Sequence, residues 1–125
     1  MRPTILTVDD AKAVRLLVER ALRPFACHTA ESTNGYNALF AMEKALPDLI
    51  LLDVSMPIMN GLELLEMLRS KPELTRIPVI MLTSPADHTV AGRIAELGVA
   101  GTLVKPFSEA KLVEAVQAVL PLKSA

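Results

Sequence analysis

Leu49-Ile50-Leu51-Leu52, followed at once by Asp53, is the stretch of this 125-residue chain that decides its architecture. Four consecutive aliphatic residues with no polar alternation suit a strand buried on both faces. Such strands belong to parallel sheets covered by helices. Pro78 to Leu82 is a second run of this kind, and it ends in Thr83-Ser84. Working outward, Thr4-Ile5-Leu6-Thr7-Val8 reads as a first strand ending in Asp9-Asp10. Phe25 to Ala30 is a weaker second strand, and Thr102 to Val104 is a short last one that runs into Lys105-Pro106.

Helical patterns lie between these runs. Val14, Leu17, Val18 and Leu22 recur at helical spacing within Ala11 to Leu22, and Pro24 stops that helix. Gly35 to Leu46, Gly61 to Arg69 and Asp87 to Leu97 follow, the last ending at Gly98. Ser108 to Leu120 is the final helix, with Ser108 as its N-cap. Pro121 to Ala125 is expected to be a frayed tail. Alternation of β and α elements predicts an α/β fold, with a doubly wound parallel sheet and right-handed crossovers. One domain is expected over residues 1–125, with its core at about residues 4–120.

Composition narrows the function. Apolar residues make up 51% and aromatic residues 3%, so the core must be mostly aliphatic. Thirteen basic and fourteen acidic residues leave a net charge of -1, which argues against direct nucleic-acid binding and against attraction to a membrane surface. Cys27 is the single cysteine and no secretory signal opens the chain, so a cytoplasmic location is expected.

In doubly wound sheets, ligands bind beyond the carboxyl ends of the strands. That edge receives Asp9, Asp10, Asp53, Thr83, Ser84 and Lys105. Each has a bland alternative. Asp10 could cap the first helix, Asp9 could be a turn residue, and Asp53 a loop acid. Thr83 and Ser84 could satisfy a turn, and Lys105 could be solvated. Their convergence on one edge favours a site. Two carboxylates about 4 Å apart repel by about 4 kcal/mol at an effective dielectric near 20. Three clustered acids therefore need protons or a cation. Oxygen donors without clustered histidine or cysteine favour Mg²⁺ over zinc. A lysine and a hydroxyl beside them suit a phosphoryl group, and an aspartate can itself be the nucleophile.

With these residues in view, the chain resembles the receiver domain of bacterial two-component response regulators, and single-domain chemotaxis-type members most of all. The resemblance spans Ile5 to Leu120. It rests on Val8-Asp9-Asp10, on Leu51-Leu52-Asp53 through Met56-Pro57 to Asn60-Gly61, on Ile80-Met81-Leu82-Thr83-Ser84, and on Val104-Lys105-Pro106-Phe107. It implies a flavodoxin-like fold with five strands in the order 2-1-3-4-5 and five helices. It implies Asp53 as phosphoacceptor, and Mg²⁺ held by Asp9, Asp10, Asp53 and the backbone carbonyl of Ser55. Lys105 would pair with a phosphoryl oxygen, Thr83 would move to bond another, and small Ser84 would leave room for the phosphate. The Lys105-Pro106 peptide bond would be cis. The implied partners are a histidine kinase or histidine phosphotransfer protein and a downstream target protein, and the domain would leave no room for an output domain.

Three positions depart from the family pattern or tune it. Three residues before the lysine the family usually carries Tyr or Phe, where this chain has Thr102. The coupled Thr–aromatic switch cannot then operate in its usual form. Switching is expected through backbone and loop shifts, or the protein mainly passes phosphate onward. Ser55 and Pro85 stand where the family tunes phosphate lifetime, and neither predicts accelerated hydrolysis. Of the remaining residues, His28 and His88 read as surface or strand histidines. Met56, Met59, Met67 and Met81 read as packing. Lys12, Arg15, Arg20 and Arg23 read as a solvated basic face, with a kinase-docking surface as the sharper alternative. Competing functions are a phosphorelay intermediate, an Mg²⁺-dependent aspartyl phosphohydrolase and a scaffold without phosphorylation. The phosphohydrolase is disfavoured because Ser55 stands where its second acid would be, and the scaffold because the acid, hydroxyl and lysine set is complete.

Overall fold

The computed structural model describes residues 2–125. In chain order it contains β1 (Thr4–Val8), α1 (Lys12–Leu22), β2 (His28–Ser32), α2 (Gly35–Lys44), β3 (Leu49–Asp53) and α3 (Gly61–Ser70). It continues with β4 (Val79–Thr83), a 3₁₀ segment (Pro85–Val90), α4 (Ala91–Leu97), β5 (Gly101–Val104) and α5 (Glu109–Val119). The five strands form one sheet in the order β2-β1-β3-β4-β5, with every pairing parallel. This is the flavodoxin-like order expected from the sequence.

Side chains alternate across the sheet and feed two apolar layers. Leu6, Val8, Ile50, Leu52 and Met81 face α2, α3 and α4, where Ala38, Leu64, Leu65, Leu68 and Ile94 meet them. Ile5, Leu49, Leu51, Ile80 and Leu82 face α1 and α5, where Val18, Leu22, Leu112 and Val116 meet them. All five residues of β3 are buried, which explains its unbroken apolar reading. Each fully buried leucine or isoleucine stabilises the fold by about 1.5–3 kcal/mol.

The structure corrects four of the expectations about the elements. β2 begins at His28 rather than Phe25, and four of its five residues are exposed. It is an edge strand whose backbone pairs on one side only, with β1, so most of its side chains need not be apolar. The residues before it do other work: Phe25 forms an isolated antiparallel bridge with Ser124, and Ala26 N–H donates to Lys123 O at 2.7 Å. The expected frayed tail is therefore a docked strap. Leu122 N–H donates to Gln117 Oε1 at 2.6 Å, Ala125 N–H donates to Pro24 O at 2.8 Å, and Leu122 packs on the α1–α5 layer. The helix expected over Asp87 to Leu97 is α only from Ala91, because the first turns are 3₁₀. Finally, α2 stops at Lys44, two residues before Leu46, as the residues ahead of Pro47 turn extended. Among the described residues no helix is long and apolar enough to cross a membrane.

Candidate functional site

The register of the sheet brings the strand ends together. Val8 pairs with Leu52, Asp53 with Leu82, and Thr83 with Val104. The residues that follow β1, end β3 and β4, and follow β5 therefore meet at one edge. Asp9 is fully buried and Asp53 is 5% exposed, while Asp10 is exposed at the rim. One carboxylate oxygen from each lies within 4.8 Å of the others.

Lys105 is the counter-charge. Its Nζ donates to Asp9 Oδ2 at 2.8 Å and to Asp53 Oδ1 at 2.9 Å, and the Lys105-Pro106 peptide bond that presents it is cis. The solvated reading of Lys105 is thereby excluded. Burial pushes the Asp53 carboxyl up to about 6, against the lowering pull of the Lys105 hydrogen bond, and the charges of Asp9 and Asp10 add to the rise. Burial alone would depress the Lys105 ammonium. Its hydrogen bonds to Asp9 and Asp53 outweigh that and raise it.

Three carboxylates against one ammonium leave two negative charges when all are ionised. An oxygen-only donor set with excess negative charge fits a hard divalent cation, which takes carboxylates, carbonyls and waters. Asp9, Asp10 and Asp53 are the residues that could hold one.

The backbone under Asp53 is set by α3. Asn60 caps this helix in a reciprocal capping box: its side chain accepts from Glu63 N–H at 2.9 Å, and Glu63 Oε1 accepts from Asn60 N–H at 3.0 Å. Gly61 then donates to Val54 O at 2.8 Å. A Cβ on Gly61 would lie 2.1 Å from the Asp53 carbonyl oxygen, so only glycine allows the helix to begin this close to Asp53. Between them, Ile58 holds φ 68 and is 81% exposed, an unfavourable backbone for a β-branched residue.

Asp9 is positioned from two sides. Its Oδ1 accepts from Ala11 N–H at 2.8 Å, so Asp9, not Asp10, satisfies the start of α1, whose N-cap Ala11 has no side-chain cap bond. Arg15 Nη1 donates to Asp9 O at 2.8 Å, and Arg15 Nε pairs with Glu31 at 2.9 Å. The Arg15 side chain is 14% exposed, so it does not belong to the solvated basic face expected from the sequence. The signal available was its place one helical turn after Ala11, with Asp9 just ahead.

Thr83 Oγ1 donates to Leu103 O at 3.5 Å, toward β5 and away from Asp53. Thr102 is exposed, and with Thr83, Ile94, Val99 and Val104 it lines an apolar cavity of about 250 Å³ between β5 and α4. Ser55 is exposed in the loop after Asp53, where its hydroxyl donates to Asp87 at 3.2 Å. Asp87 is a residue that sequence reading placed only on a helix. His28 is exposed on β2, and His88 Nδ1 lies 3.1 Å from Pro85 O; neither joins the acidic cluster.

Known proteins resemble this chain over most of its length. The family described as response regulator receiver domain matches residues 5–117. Chemotaxis protein CheY-3 of Vibrio cholerae is 38% identical over 111 residues, covering 88% of this chain and 85% of its own. Sporulation initiation phosphotransferase F of Bacillus subtilis is 35% identical over 124 residues, covering 99% of this chain and 98% of its own. Among solved structures, chemotaxis response regulator CheY4 of Vibrio cholerae superposes with a TM-score of 0.87 at 31% identity, covering 96% of this chain and all of that one. Sheet order and near full-length similarity agree, and the chain belongs to the response regulator receiver domain family of two-component systems.

Proposed function

We propose that this domain accepts a phosphoryl group on Asp53 from a histidine kinase or histidine phosphotransfer protein, and then binds a downstream partner protein. The observation that supports this most directly is the bridge from Lys105 to both Asp9 and Asp53, with Asp10 alongside. A buried nucleophile is held beside a cation that can pair with an arriving phosphoryl oxygen.

One oxygen of the ionised Asp53 carboxylate attacks phosphorus. The bond from phosphorus to the donor's imidazole nitrogen breaks, its electron pair leaves with that nitrogen, and an aspartyl phosphate remains. Lys105 keeps its ion pair with Asp9 and transfers its second contact from Asp53 to a phosphoryl oxygen. Thr83 leaves Leu103 O and donates to another phosphoryl oxygen, and small Ser84 leaves the space open. Asp9, Asp10, Asp53 and the carbonyl of Ser55 would hold Mg²⁺, which when bound neutralises charge on the transferring group. The chain changes state and returns, so it acts as a switch rather than as an enzyme on other substrates. The readout surface is that of α4, β5 and α5, next to Thr83.

A second reading, a relay that hands phosphate to a histidine phosphotransfer domain, draws support from the near full-length similarity to a relative named a phosphotransferase. Thr102, exposed where the family usually carries an aromatic switch residue, points the same way. Incubation with acetyl phosphate and Mg²⁺, followed by intact mass, tests the common core: one phosphoryl group is expected on the native chain and none on Asp53→Asn. Absence of any added group on the native chain overturns the proposal. Return of the label to a histidine phosphotransfer domain distinguishes the relay.

A further inference from the structure

Asp87 is a carboxylate that takes no part in the phosphoryl transfer proposed for Asp53 but holds the loops around it. It lies in the 3₁₀ segment four residues beyond Thr83, and its two oxygens hold two different loops. Oδ1 accepts from the Ser55 hydroxyl at 3.2 Å, in the loop that follows Asp53. Oδ2 accepts from Ser84 N–H at 2.8 Å and from the Ser84 hydroxyl at 3.2 Å. The connections after β3 and β4, which flank Asp53, are thus joined through one side chain. Asp10, Ser55 and Asp87 line the same open cavity of about 560 Å³.

We infer that Asp87 is a positioning residue whose carboxylate clasps Ser84 to Ser55 and so holds the site in its resting arrangement. The inference rests on Asp53 being the phosphoacceptor. In the resting arrangement Thr83 points its hydroxyl at Leu103 O, and Ser84 is held by the clasp. To serve a phosphoryl group, the Thr83–Ser84 turn must move toward Asp53. A phosphoryl group on Asp53, two residues before the clasped Ser55, also adds about -1.5 to -2 of charge, and its repulsion of the Asp87 carboxylate opposes the clasp. Clasp and phosphoryl group therefore compete, and the competition is reciprocal: releasing the clasp favours the phosphorylated arrangement.

Ser55→Ala removes the Oδ1 partner and leaves the Ser84–Asp87 turn and the Ser55 backbone in place. Calorimetric titration with beryllofluoride and Mg²⁺, a phosphoryl mimic at Asp53, is expected to give a Kd about fivefold lower than in the native chain, the net size of one ordinary hydrogen bond. Labelling by acetyl phosphate is expected to quicken by a similar factor. Asp87→Ala is expected to tighten binding as well, and the double variant to bind less tightly than the product of the two single effects, because both act through one bond. A merely structural bond would weaken the free and mimic-bound forms alike and leave the Kd unmoved. An unchanged or higher Kd in Ser55→Ala, or fully multiplicative single effects, overturns the clasp while leaving the phosphoacceptor reading intact. A native chain that neither binds beryllofluoride nor takes label overturns both.

Discussion

Lys105 Nζ lies 2.8 Å from Asp9 Oδ2, joining two residues 96 positions apart in the chain. Asp9 is fully buried, so its charge has little access to water and depends on this ammonium. Removing one member of a buried ion pair leaves an uncompensated charge and costs about 3–5 kcal/mol. Lys105→Met is therefore expected to lower stability by about 3 kcal/mol at pH 7.5 in EDTA, with Mg²⁺ restoring much of it. Urea unfolding with and without Mg²⁺ measures this. An equal loss in both conditions would show that the acids do not share their charge with a metal.

Asp53 gives the opposite sign. Its folded carboxyl titrates at about 6, above its ordinary value of 3.8, with burial as the main cause. Between these values the folded state binds more protons than the unfolded state, so metal-free stability falls as pH rises from about 4 to 6 and is level above that. Asp53→Asn, which cannot ionise, is expected to be about 1–2 kcal/mol more stable than the native chain at pH 7.5 in EDTA. The difference should fade toward pH 4. Thermal unfolding across this range reads it, and a native chain that gains stability from pH 4 to 6 relative to Asp53→Asn contradicts the assignment.

Gly61 is expected to tolerate no side chain. The added carbon of Gly61→Ala meets the carbonyl oxygen of Asp53 at 2.1 Å, and backbone on both sides cannot yield without moving Asp53. A loss of about 2–3 kcal/mol is expected, typical of overpacking against fixed atoms. Acetyl phosphate labelling should slow in the folded fraction as well. Gly92→Ala, where an added carbon meets nothing within 4 Å, is the control and should be neutral or slightly stabilising.

Truncation after Pro121 should destabilise the domain. It removes Leu122 from the α1–α5 layer and the backbone bonds that tie residues 123 and 125 to Pro24 and Ala26. The expected loss is about 2–4 kcal/mol, from one apolar side chain and a few hydrogen bonds. A urea midpoint within error of the full chain would mean that the strap is not held in solution.

The apolar strands and the acids at their ends are legible in the sequence because burial on both faces forces continuous aliphatic runs, and strand ends must meet the solvent edge. The same logic fails for β2. An edge strand is held by backbone bonds on one side, which carry no side-chain signature, so Phe25 drew the strand three residues too early. The strap is illegible for a related reason: Pro121 to Ala125 is short, with nothing in its local pattern to announce pairing with Pro24 and Ala26. The helical position of Arg15 is legible in the sequence, but its burial against Asp9 and Glu31 depends on a strand neighbour sixteen residues away.

By itself, then, the sequence determined a parallel α/β sheet and the carboxylates, hydroxyls and lysine at its carboxyl edge. Periodicity and strand-end chemistry are local properties, written in consecutive residues. Only the tertiary structure decided how these groups act on one another. Lys105 bridges Asp9 and Asp53, Gly61 sits under the Asp53 backbone, and Asp87 joins the loops after β3 and β4. Each of these depends on distances between elements far apart in the chain, and those distances follow from strand register and helix packing rather than from any local pattern.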